Sequence, residues 1–76
     1  MKELLRFVCS YLVDDPEQVR IDTLEGQRAV ILQVYVAPDD MGKVIGRNGR
    51  VAKAIRELIR AQAMRENKTA IVEIIQ

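Results

Sequence analysis

The stretch GKVIGRNGRVAKAI, residues 42–55, holds three of the chain's four glycines, at Gly42, Gly46 and Gly49. Four basic residues, Lys43, Arg47, Arg50 and Lys53, are interleaved with them. Glycine lets another backbone come close, because no Cβ stands in the way. Arginine and lysine bring full positive charge to the same spot. A helix starting just after Gly49 would add free backbone N–H groups and the positive end of its dipole. That combination suits a phosphate. It does not suit a nucleoside-triphosphate P-loop: G-x-x-x-x-G-K-[ST] is missing, and no strand runs straight into the glycines. The competing reading is a plain helix–helix turn. Gly46 would then sit just past a helix end, Asn48-Gly49 would be a turn dipeptide, and the charges would merely be solvated.

The charge distribution weighs on the side of the phosphate. Residues 1–42 carry four basic and eight acidic side chains; residues 43–68 carry eight basic and two acidic. The net charge of +1 hides this two-sidedness. A localised positive field favours a polyanionic partner.

Composition removes other classes. The chain has 76 residues, read as one domain spanning 1–76. There is one cysteine, Cys9, and no histidine. An internal disulfide, a histidine-based triad and Cys/His metal patterns are therefore excluded. No nucleophile–base pair appears, so no enzyme and no cofactor are expected. The opening MKELLRFVCSYLV is interrupted by Lys2, Glu3 and Arg6 and does not read as a signal peptide. No apolar run reaches membrane-spanning length, which predicts a cytoplasmic protein with no membrane partner.

The elements that must position the glycines follow from periodicity. Leu4, Leu5, Val8, Tyr11 and Leu12 predict an amphipathic helix over 2–13, flanked by Phe7 and Cys9 and closed by Asp14-Asp15-Pro16. Residues 17–24 alternate, with Val19 and Ile21 on one face, and predict a strand. Residues 29–37 predict a second, central strand, with Val30, Leu32, Val34 and Val36 inward. Gly26 marks the hairpin turn. A short helix follows Pro38, with carboxylates in its first turn. From Arg50 to about Arg65 a longer helix is expected to bury Val51, Ala54, Ile55, Leu58, Ile59 and Gln62. Ala63 and Met64 fall off that stripe. Residues 70–75 predict a last strand, with Val72 and Ile74 inward. The order α-β-β-α-α-β argues a two-layer α+β domain, its three-stranded sheet covered by helices on one face. Ile31, Tyr35, Ile71 and Ile75 fall on the other face. That face and the Ala63–Met64 end of the long helix are candidate association surfaces.

VIGRNGRVAKAI, Val44 to Ile55, resembles the I-G-x-x-G turn and following helix of the KH RNA-binding domain. The hairpin before it and the single strand after it are similar to the type II, bacterial arrangement. The whole chain, leading helix included, resembles the family of small stand-alone bacterial KH proteins called KhpA. The KH turn clamps the backbone of about four single-stranded nucleotides. The resemblance implies that Gly46 and Gly49 allow that approach and that Arg47 and Asn48 donate to phosphates. Arg50, Lys53 and Arg56 would track the backbone beside Lys43. Val44, Ile45, Val51, Ala52 and Ile55, with part of strand 70–75, would wall an apolar groove for bases. Two departures stand out: Ala52 occupies a position often held by a bulky aliphatic residue, and the loop 65–69 is short.

The function implied is non-enzymatic binding of single-stranded RNA, as a post-transcriptional regulator or RNA chaperone. The family resemblance also implies a homodimer and pairing with a larger KH-containing protein. Two alternatives stay open at this point: a dimerising protein-interaction subunit with weak RNA binding, and single-stranded DNA as the ligand.

Overall fold

The structure, a computed structural model, describes residues 1–76. The order is α1 (Lys2–Leu12), β1 (Arg20–Glu25), β2 (Ala29–Tyr35), α2 (Met41–Ile45), α3 (Arg50–Arg65) and β3 (Thr69–Ile74). Short 3-10 turns occupy Pro16–Gln18, Pro38–Asp40 and Arg47–Gly49. The sheet order is β1-β2-β3, with β1–β2 antiparallel and β2–β3 parallel. The central place of β2 matches its nearly continuous apolar run. The hairpin closes where the Gly26 N–H donates to the Ala29 carbonyl at 2.7 Å. A parallel neighbour cannot follow a two-residue turn, so the chain must cross over before β3. That crossover is α2, the GRNG turn and α3.

Alternation fixes the inner face of the sheet. Val19, Ile21, Val30, Leu32, Val34, Ala70 and Val72 point to one side and are buried there. Against them lie Leu5 and Cys9 of α1, Val44 of α2, and Ile55, Ile59 and Ala63 of α3. All three helices therefore cover the same face, as the order required. On the opposite face Gln33 donates to Glu73 at 3.2 Å, and the Arg20 guanidinium sits 4.0 Å over the Tyr35 ring.

Three details differ from the sequence-based expectation. The first strand begins at Arg20 rather than Glu17, because Pro16 starts a 3-10 turn whose carbonyl accepts the Val19 N–H. The buried side of α3 is rotated: Ala54 and Leu58 are exposed, whereas Ala52, Ile55, Ile59 and Ala63 are buried. Small side chains at 52 and 63 let the helix axis lie close to the sheet, so the stripe runs through them as well as through Ile55 and Ile59. Ala63, expected off the stripe, is fully enclosed. Finally, Tyr11 belongs to the expected apolar stripe of α1 but is 82% exposed, beside Phe7 at 68%.

Candidate nucleic-acid interface

The turn between α2 and α3 is built from unusual backbone. Gly46 has φ 77° and ψ 172°; Asn48 and Gly49 follow with φ 57° and 74°. Two left-handed residues in succession turn the chain sharply and aim Arg47 and Asn48 away from the body. Both are exposed. The turn is held by backbone bonds alone: Gly46 N–H to the Gly42 carbonyl at 2.9 Å, and Gly49 N–H to the Gly46 carbonyl at 3.1 Å. At Gly46 an added Cβ would lie 2.4 Å from Val51 Cγ2, so the close packing of turn on α3 admits only glycine. At Gly49 the space is open.

No side chain caps the N-terminus of α3. Its first turn instead carries Arg50 and Lys53, and Arg56 lies one turn further. None of Arg47, Arg50, Lys53 and Arg56 is in a salt bridge; the ion pairs in the structure involve only Arg20 and Lys43. Their charge is therefore uncompensated at close range. Arg56 reaches across to β3, where its Nε donates to the Val72 carbonyl at 3.3 Å. The Thr69 N–H donates to the Arg28 carbonyl just before β2, and the Ile75 N–H to the Val34 carbonyl within it. Alternation then leaves the groups of Ala70, Val72 and Ile74 on the free edge. Arg56 thus bridges α3 and that free edge.

Other expected site residues are placed differently. Val44, Ala52 and Ile55 were expected as groove walls, yet they are 0%, 3% and 4% exposed. They back the site from within the core and offer no surface of their own. Ile45 and Val51, half-buried, are the apolar surface that remains beside the turn. Lys43 was expected to meet phosphate, but its ammonium is engaged by the carboxylates of Asp14 and Asp40. The Asp14 hydrogen bond chiefly holds the Lys43 pKa above its usual value.

Asp40 has no counterpart in the expectation beyond a first-turn charge. It is the one buried charged residue. Its Oδ1 accepts the Asp14 N–H and its Oδ2 the Asp15 N–H, both at 3.1 Å. The Asp14 bond, helped by Asp15 and Lys43, holds the Asp40 carboxyl below the usual range despite the opposing effect of burial. Its partners lie 25 and 26 residues away, so no local spacing announces it. The signal available was the pair of amides at 14 and 15, which leave a helix and need acceptors.

An α-β-β-α-α-β domain with a G-x-x-G turn between its adjacent helices defines the KH class, in its type II order. The family model described as KhpA/KhpB, KH domain matches residues 2–74. The RNA-binding protein KhpA of Clostridium acetobutylicum is 52% identical over 75 residues, covering 99% of this chain and 100% of that protein. The RNA-binding proteins KhpA of Clostridium perfringens and Chlamydia pneumoniae are 51% and 43% identical, covering 99% and 100% of this chain and 100% and 97% of theirs. No solved structure matches. The chain belongs to the KhpA/KhpB KH-domain family.

Proposed function

We propose that this chain is a non-enzymatic, cytoplasmic protein that binds single-stranded RNA, with GRNG as the phosphate clamp. One observation carries the reading: a turn with three positive-φ residues opens an uncapped helix N-terminus beside four unpaired cations. Relatives named as RNA-binding proteins support it. Gly46 and Gly49 admit the backbone, Arg47 and Asn48 donate to phosphates, and Arg50, Lys53 and Arg56 follow the strand. Ile45 and Val51 meet the bases. Such a module acts after transcription, as a regulator or RNA chaperone.

Fluorescence anisotropy with short single-stranded RNA tests this, comparing the native protein with Arg47→Asp/Asn48→Asp. Native binding should weaken with salt, with a slope of about −2 to −3 for three or four phosphate contacts. The double change should weaken it at least roughly tenfold. Equal binding by both proteins would place the contacts elsewhere. DNA of the same sequence, run in parallel, reports whether the 2′-OH matters.

The same reading includes pairing with a second copy through α1. Phe7 and Tyr11 stack obliquely, centroids 6.5 Å apart, beside a hollow of about 210 Å³ lined by Phe7, Val8, Tyr11 and Leu12. Knob and hollow lie on one helix, which suits a two-fold, self-complementary contact. Charge fits an antiparallel arrangement. Lys2 and Arg6 of one copy would face Asp15 and Glu17 of the other, and none of these four is in an ion pair within the chain. A larger KH-containing protein is a second partner within this proposal.

A further inference from the structure

The helix that delivers GRNG is only five residues long, Met41–Ile45. One turn of helix does not hold itself in place. From below, Val44 anchors it in the core. Half-buried Met41 and Ile45 pack against the same core on either side of it; such apolar contacts are non-directional, so they fix depth more than angle. What opposes swivelling is Asp40, immediately before the helix. Each of its carboxylate oxygens takes a separate N–H, from Asp14 and from Asp15, at 3.1 Å. Two bonds from one planar group fix direction as well as distance. Lys43, one turn on, adds a strut to Asp14 and to Asp40. The end of α1 and the start of α2 are thereby locked together.

We infer that Asp40 is the positioning residue of the phosphate clamp: its buried carboxylate sets the angle at which α2 presents GRNG, and so makes α1 part of the binding apparatus. The inference rests on the reading of GRNG as the clamp. Asp40 is 2% exposed, so it does not itself offer an oxygen to RNA. Its effect must pass through the position of α2. A contrary electrostatic effect separates the two roles. Removing a negative charge near a phosphate site, and freeing Lys43, would by charge alone tighten binding to a polyanion. A positioning role demands the reverse.

The test compares native protein, Asp40→Asn and Asp40→Glu, with Arg47→Asp/Asn48→Asp as reference, using a labelled single-stranded RNA at several salt concentrations. Asparagine sets an N–H₂ against one of the two backbone donors. Glutamate keeps the charge but moves it by one methylene, which isolates geometry. Circular dichroism checks that each variant folds, since Asp40 is buried and each of its oxygens serves a backbone N–H. Both should bind roughly tenfold more weakly, the loss of one charged hydrogen bond expressed as affinity. The salt slope should be unchanged, since no phosphate contact is lost. Backbone amides of residues 42–49 should exchange faster with solvent. If Asp40→Asn fails to fold, Asp40→Glu decides alone. Native-like or tighter binding by folded Asp40 variants overturns the inference while the clamp stands. Undiminished binding by Arg47→Asp/Asn48→Asp overturns the clamp, and this inference with it.

Discussion

Gly46 and Gly49 share a positive φ, yet different constraints act on them. At Gly46, ψ of 172° adds a region open almost only to glycine, and Val51 Cγ2 would lie 2.4 Å from a new Cβ. At Gly49 the conformation is ordinary left-handed and nothing lies within 4 Å. Gly42 has neither a positive φ nor a neighbour within 4 Å. Alanine should therefore rank the three. Gly46→Ala should cost about 3 kcal/mol or more, from strain and overlap together. Gly49→Ala should cost about 1 kcal/mol, the left-handed penalty alone. Gly42→Ala should stabilise by about 0.5–1 kcal/mol, through loss of freedom in the unfolded chain. Urea denaturation of the three variants measures the order, and a Gly49 cost equal to that of Gly46 would refute the packing argument. The sequence made the turn legible, because G-x-x-G between two helical patterns has few other uses. Which glycine is forced was not legible, since that depends on the methyl of Val51 folding back against the turn.

At the scale of elements, the strands were easier to read than the helices. Period-two alternation leaves only two faces to choose between, and Val19, Ile21, Val30 and Leu32 all point the expected way. A helix allows a continuous choice of rotation. In α3 the large residues Leu58 and Ile59 pull a sequence-based stripe toward themselves, yet Leu58 is 44% exposed and Ala63 is fully buried. The helix rests on Ala52 and Ala63 as well as on Ile55 and Ile59. Ala63→Leu should therefore destabilise by about 1–3 kcal/mol through overpacking. Leu58→Ala should cost less than that, since much of the leucine already faces water. Thermal unfolding of both variants checks this, and a more damaging Leu58→Ala would return the stripe to the large residues. Asp40 was illegible for another reason. It looked like one more acidic residue at a helix start, and its two donors became neighbours only when α1 folded onto α2.

Across the whole molecule, the candidate clamp and the exposed aromatics stand on different elements. Four unpaired cations, Arg47, Arg50, Lys53 and Arg56, gather at GRNG and the first turns of α3. The exposed aromatics gather on α1, where Phe7 and Tyr11 are 68% and 82% exposed. One module of this kind engages about four nucleotides, which limits its affinity. Two modules joined through α1 would gain avidity on one RNA without any new contact to it, provided the strand can reach both turns. The two surfaces can then be separated by experiment. In the proposed pairing, Phe7→Glu/Tyr11→Glu places four like charges at the two-fold contact and should leave the protein monomeric where the native chain pairs, read by light scattering across a concentration series. Because both side chains are already solvated, the monomer should keep its fold. At salt high enough to screen the two added charges, its affinity for an RNA of about four nucleotides should match the native value. Its affinity for a strand long enough to bridge two turns should fall, by tenfold or more when the strand matches the span. An unchanged mass would remove α1 as the pairing surface. An unchanged mass together with lost binding of the short RNA would instead mean that this face of α1 serves RNA binding and not pairing.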